Sequence, residues 1–182
     1  MVEFTAKIAG YAIAIKALYP ETKEVFRDYL TEEQPFVTIE SSEKLIVAER
    51  QLLKKADVEE KLPVDGFSDA EIESNFLYRE VAEQLSTHET VLIHGSAVAV
   101  DGEGYIFVAP SGTGKSTHVR LWRKMFGSRA VMINDDKPLL QCADDGITVC
   151  GSPWDGKHHL SASISVPLKA ICFLERGKEN HI

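Results

Sequence analysis

A glycine-rich segment in the second half of the chain has the residue types and spacing of a phosphate-binding loop. The segment Ala109–Thr117 reads Ala-Pro-Ser-Gly-Thr-Gly-Lys-Ser-Thr. It fits the P-loop pattern, with alanine in place of the first glycine. Gly112 and Gly114 would let the backbone turn its N–H groups toward phosphate oxygens, and a following helix would point its positive end at them. The predicted phosphate-binding residues are Pro110, Ser111, Gly112, Thr113, Gly114, Lys115, Ser116 and Thr117.

The last residues of this segment suggest which phosphate compound it takes. The Lys115 ammonium is suited to the β- and γ-phosphates of a nucleoside triphosphate, and the Ser116 hydroxyl is suited to Mg²⁺. The segment therefore predicts binding of ATP and Mg²⁺. The alternative is an ordinary glycine-rich turn.

Two adjacent carboxylates, Asp135 and Asp136, stand 20 residues beyond Lys115, directly after the apolar run Val131–Ile133 and one asparagine. One carboxylate of such a pair can coordinate a metal ion, while the other takes a proton from an attacking hydroxyl. Neighbouring like charges also push their two pKa values apart, which helps one of them to act as a base. The alternative is an exposed acidic turn.

Two further segments are candidates for the same site. His94 follows an apolar strand, where a histidine serves either as a structural hydrogen-bonding residue or in catalysis. The segment Gly151–Lys157 reads Gly-Ser-Pro-Trp-Asp-Gly-Lys. With Trp154 and Lys157 it could close over a phosphate or an acceptor, since lysine is a compact charge with long reach. A plain turn with a packed tryptophan is the alternative.

The elements that must position these residues combine hairpins with one helix. Turn signals at Asp101–Gly104 and Ala143–Gly146 each predict an antiparallel hairpin. A purely parallel, doubly wound sheet would place helices between its strands instead. The second half is thus predicted to be α/β with a mixed, partly antiparallel sheet. Its other predicted elements are the helix Lys115–Phe126 and the strands Ala130–Ile133 and Leu168–Leu174.

The first 87 residues are expected to form a separate α+β module. Residues 1–90 carry 10 basic and 19 acidic side chains, so this half is strongly acidic. A serine N-cap at Ser68 with Glu71 three residues later predicts a helix that ends near Thr87. Residues 41–55 fit either a strand or a helix. The other predictions are a strand over Ile8–Ala17, a helix over Glu21–Leu30, a strand over Phe36–Glu40 and a break at Lys61–Gly66.

Composition excludes several classes of protein. The chain has 182 residues, a formal net charge of −8 and 44% hydrophobic residues, so it can build a core without disulfide or metal support. Its acidic surplus argues against broad nucleic-acid binding. No stretch approaches the roughly 20 apolar residues of a membrane span. Since its three cysteines lack paired spacing, we expect reduced thiols and a cytoplasmic location.

The order of these motifs resembles that of the HPr kinase/phosphorylase family. The resemblance covers residues 91–140 and runs from His94-Gly95 and a strand, through the glycine-rich segment, to the strand that ends in Asp135-Asp136. That family shares its P-loop architecture with the phosphoenolpyruvate carboxykinases. The resemblance implies ATP- and Mg²⁺-dependent transfer of phosphate to a serine hydroxyl. It places His94 near the transferred phosphate, Asp135 as base, Lys115 and Ser116 at phosphate and metal, and Asp136 at the metal.

The sequence is similar to divergent members of this family. HPr kinases carry a Glu-x-Arg-Gly signature after the Asp pair, whereas this chain has Gly151–Lys157 there and Glu175-Arg176-Gly177 only later. The resemblance therefore leaves the acceptor open: a serine of a protein or peptide, or a small molecule. It also implies a homo-oligomer and a P-loop core over residues 88–182 that is truncated at its C-terminus. The alternatives are a phosphoenolpyruvate-carboxykinase-like enzyme and a non-catalytic nucleotide-binding or structural module.

Overall fold

The structure is a computed structural model that describes residues 1–60, 66–156 and 159–177. The chain divides into two compact units, Met1–Thr87 and His88–Ile182. Each unit combines helices with a mixed sheet, which confirms the predicted α/β class. In the described ranges, no helix is both long and apolar enough to cross a membrane.

The first unit is a three-stranded sheet with helices. Its strands have the order β1-β2-β3; β1 and β2 pair antiparallel, and β2 and β3 pair parallel. The elements are β1 (Val2–Ile8), β2 (Tyr11–Ala17), α1 (Pro20–Val25), β3 (Val37–Glu40), α2 (Glu43–Glu60) and α3 (Asp69–Ser86).

Two sequence predictions in this unit need correction. The run Ile8–Ala17 is not one strand, because Ala9 and Gly10 adopt positive φ angles of 48° and 86° and turn the chain into a hairpin. Such a two-residue turn matches the twist of the strands that it joins. The predicted helix Glu21–Leu30 is shorter, since a 3-10 turn at Arg27–Tyr29 follows α1. The predicted break lies mostly outside the described residues, with Gly66 inside them.

The predicted capping box of α3 is confirmed. The Ser68 hydroxyl accepts from the Glu71 backbone N–H, and the Glu71 carboxylate accepts from the Ser68 N–H. The sequence pattern over residues 41–55 fitted either a strand or a helix, and the structure has the helix α2 over residues 43–60. The apolar residues of α3 that are buried are Ile72, Phe76, Leu77, Val81 and Leu85.

The described residues of the second unit form seven strands and one α-helix. The strand order is β4-β8-β9-β10-β6-β5-β7; β10 and β6 pair parallel, while the other neighbours pair antiparallel. Both predicted hairpins are confirmed, as β5-β6 and β8-β9. The elements are β4 (Thr90–Leu92), β5 (Ser96–Val100), β6 (Glu103–Val108), α4 (Lys115–Phe126), β7 (Ala130–Asn134), β8 (Leu139–Ala143), β9 (Gly146–Cys150) and β10 (Ser165–Phe173).

Apolar clusters cover both faces of β5, β6 and β7. On one face, Val98, Phe107 and Met132 pack with Val119 of α4. On the other face, residues of the same three strands pack with residues of β8 and β9. The end of the sheet that contains β8 and β9 therefore folds back over these three strands. This second cluster comprises Ala97, Ala99, Ile106, Ile133, Leu140 and Val149.

The fold of the sheet requires close approach at Gly104. A Cβ atom at this position would lie 2.2 Å from Cγ1 of Val149. The register of β10 against β6 shifts between Leu168 and Ala170, where β10 leaves the β9 side and joins β6. β10 begins at Ser165, three residues earlier than predicted, because its first residues pair with β9.

Candidate functional site

The sheet topology brings the predicted site segments to one edge. β6 and β7 both run antiparallel to β5, which lies between them, so their C-terminal ends share one edge with the start of β5. β10 is parallel to β6 and ends there too. The glycine-rich loop leaves β6, the Asp pair leaves β7, and His94 precedes β5. Strands on either side of β5 are about 10 Å apart, twice the spacing of neighbouring strands.

The glycine-rich loop depends on glycine at two positions. Gly112 and Gly114 have φ angles of +74° and +115°, in the left-handed region where glycine carries no steric penalty. Gly114 is the N-cap of α4, and the Thr113 N–H donates to the Pro110 carbonyl at 3.2 Å. The loop therefore connects a strand to the N-terminus of a 12-residue helix, the arrangement that favours bound anions.

Two cationic side chains donate to carbonyls of this loop. The Lys115 Nζ donates to the Ala109 carbonyl at 2.8 Å. An Arg176 Nη2 donates to the Gly112 carbonyl at 2.6 Å. Positive charge thus comes to the loop both from its own lysine and from the segment after β10, and the sequence reasoning gave Arg176 no role.

Asp135 is a buried carboxylate, only 7% exposed. Burial raises its pKa, and the nearby charges of Asp155 and Asp136 raise it further, while a hydrogen bond from the Gly156 N–H opposes them. A Cβ on Gly156 would lie 2.7 Å from Oδ1 of Asp135, so only glycine permits this approach. Such burial does not fit an exposed acidic turn, and a raised pKa suits a general base.

Asp136 has different surroundings from its neighbour. It is partly exposed, with one carboxylate oxygen 3.4 Å from Nε2 of His94 and the other 3.3 Å from Nζ of Lys137. The structure therefore brings His94 to the Asp pair. An accessible carboxylate beside a phosphate loop fits the preference of Mg²⁺ for one or two carboxylates together with substrate phosphates.

Asn134, which the sequence reasoning missed, organises the site. Its Nδ2 donates to the carbonyls of Ser152 and Trp154 at 3.1 and 3.0 Å. Its Oδ1 accepts from the N–H groups of Asp136 and Lys137 at 2.9 and 2.7 Å. Asparagine commonly bonds to the backbone two residues on, so an Asn-Asp-Asp sequence after a buried strand was an available signal.

The segment 151–156 lies against Asn134 and Asp135. Trp154 is buried, so its side chain packs inside instead of presenting a face to solvent. Asp155 accepts from the Ser161 hydroxyl and lies 3.0 Å from Nδ1 of His159. Lys157, the predicted phosphate- or acceptor-binding lysine, lies outside the described residues.

Over the described ranges, no group of three or more His, Cys, Asp or Glu residues has the arrangement of a metal site.

Neither the family models nor the curated proteins yielded a match to the chain.

Proposed function

We propose that this protein is an ATP- and Mg²⁺-dependent kinase that phosphorylates a hydroxyl group, with a P-loop core of the HPr kinase type. The observation that carries the proposal is a buried carboxylate, Asp135, on the same sheet edge as the glycine-rich loop. A loop suited to anions and a base of raised pKa are two of the components that phosphoryl transfer to a hydroxyl uses, together with Mg²⁺.

The proposed reaction assigns one task to each group. Asp135 takes the proton of the acceptor hydroxyl, and that oxygen attacks the γ-phosphorus of ATP. The bond from the γ-phosphorus to the bridging oxygen breaks, and ADP leaves. Mg²⁺ at Ser116 and Asp136 would supply charge neutralisation to the phosphates. Lys115 supports the same negative charge from the loop, and catalysis is mainly by positioning and electrostatics.

Asp135→Asn tests the base. The amide keeps an oxygen to accept from Gly156 but cannot take a proton. We expect Mg-ATP to stabilise the variant as it does the natural chain, by about 2.7 kcal/mol at a ligand concentration of about a hundred times its Kd. Phosphate transfer from γ-labelled ATP to a serine-peptide library should fall by at least about a hundredfold.

Two further variants calibrate this experiment. Lys115→Ala should abolish the thermal shift, and Lys124→Ala, at an exposed lysine near the end of the same helix, should leave it unchanged. A natural chain without any shift would contradict nucleotide binding. Full transfer activity in Asp135→Asn would contradict the base. A shift without transfer by the natural chain to any acceptor would favour the non-catalytic nucleotide-binding alternative.

A further inference from the structure

The strand pairing delivers the segment after β10 to the glycine-rich loop. β10 lies parallel to β6, with Phe173 opposite Val108, the last residue of β6. The Leu174 N–H donates to the Val108 carbonyl at 2.9 Å and extends this pairing by one step. The glycine-rich loop begins directly after Val108, and Arg176 lies two residues after Leu174. Backbone hydrogen bonds thus bring the chain to within two residues of Arg176.

The Arg176 guanidinium holds one particular peptide plane of the loop. Residues 110–113 form a turn in which the Thr113 N–H donates to the Pro110 carbonyl, with positive φ at Gly112 as in a type II turn. The Gly112 carbonyl and the Thr113 N–H belong to the same trans peptide unit, so they point in opposite directions. Arg176 donates to the Gly112 carbonyl at 2.6 Å, and the Thr113 N–H donates to the Pro110 carbonyl. The peptide plane is therefore fixed from both sides.

Arginine suits this task better than lysine does. Its guanidinium is a planar donor array with permanent charge, which gives a directional bond to a carbonyl, whereas lysine offers a flexible point charge. Charge-assisted hydrogen bonds are also stronger than neutral ones. A loop that must hold several N–H groups toward phosphate oxygens gains from such an anchor, because misdirected peptide groups would have to be reoriented when the anion binds.

We propose that Arg176 is a positioning residue of the phosphate site, which holds the Gly112 carbonyl so that the loop is preorganised for the polyphosphate of a nucleotide. The inference rests on the proposed function, since it concerns the same loop. Arg176 raises the affinity of the loop for phosphate indirectly, through its hydrogen bond to the Gly112 carbonyl.

The test compares Arg176→Ala and Arg176→Lys with the natural chain by calorimetric titration with Mg-ATP and with Mg-tripolyphosphate. We expect Arg176→Ala to weaken the binding of both ligands by about tenfold, because peptide groups of the unanchored loop would have to be reoriented on binding. Arg176→Lys should recover part of that loss. Arg120→Ala, at an exposed arginine of α4, is the matched control and should bind as the natural chain does.

Melting without ligand separates positioning from simple stabilisation. Because Arg176 is exposed, Arg176→Ala should unfold at the same temperature as the natural chain when no ligand is present. Unchanged affinity in Arg176→Ala would overturn the inference and leave the proposed function standing. A lowered melting temperature without ligand that parallels the affinity loss would also overturn it. A natural chain that binds neither ligand would overturn both proposals together.

Discussion

At the scale of single residues, the two neighbouring carboxylates show how local surroundings assign different chemistry to the same side chain. Asp135 is buried, and desolvation raises its pKa although the Gly156 N–H donates to its carboxylate. Asp136 is partly exposed between His94 and Lys137. In the proposed reaction, the buried acid would be the proton acceptor and the accessible acid would be the metal ligand.

The division depends on Asn134, and Asn134→Asp tests this dependence. The carboxylate can still accept from Asp136 and Lys137 but cannot donate to the carbonyls of Ser152 and Trp154. Both carbonyls lose the hydrogen bond from the amide and a buried charge appears, so we expect a loss of roughly 3 kcal/mol in the free energy of unfolding. Urea denaturation measures this loss.

The matched control is Asn75→Asp, at an asparagine that donates one hydrogen bond on the surface of α3. It should change the free energy of unfolding by less than about 1 kcal/mol. Equal losses in the two variants would show that Asn134 has no special place in the site.

The site motifs could be predicted from the sequence because each is local. The glycine pattern, the Asp pair and His94 each lie within a few consecutive residues, and the hairpins between them follow from turn signals. The contacts of Asn134 with residues 152–154, and of Arg176 with Gly112, could not be predicted, because they join segments 18 to 20 and 64 residues apart. Single-sequence patterns carry no information about which distant side chains meet.

At the scale of elements, buried Glu73 connects the helices of the first unit to its sheet. This carboxylate of α3 is fully buried, and its partners belong to the ends of two strands and to α1. Sequence periodicity placed position 73 on α3 but could not indicate that a charged residue would face inward. Its donors are the N–H groups of Leu18 and Tyr19 and the hydroxyls of Thr22 and Ser41.

Glu73→Ala should therefore destabilise the first unit far more than an ordinary surface substitution does. Four donors would lose a common acceptor, and we expect the free energy of unfolding to fall by about 3 kcal/mol or more. Chemical denaturation followed by circular dichroism measures the change. Glu83→Ala, at an exposed glutamate of the same helix, is the control and should cost less than about 1 kcal/mol. A similar small loss in Glu73→Ala would refute the role of this carboxylate.

At the scale of the whole molecule, the chain consists of two compact units of different composition. The acidic surplus lies in the first half, whereas the glycine-rich loop, the Asp pair and His94 all belong to the second unit. All hydrogen bonds that define the candidate site, including those of Asn134 and Arg176, also lie within that unit.

The parallel pairing of β10 with β6 has a consequence for the order of folding. β5 and β6 form a tight hairpin and β7 pairs with β5 across 30 to 37 residues, while β10 pairs with β6 across more than 60 residues. Because long loops close at a greater entropic cost, we expect β5 and β6 to form before β10 docks. Pulse-labelled hydrogen exchange during refolding should show amides of β5 protected earlier than those of β10, and simultaneous protection would contradict this order. An early intermediate would then contain the glycine-rich loop without its anchor from Arg176.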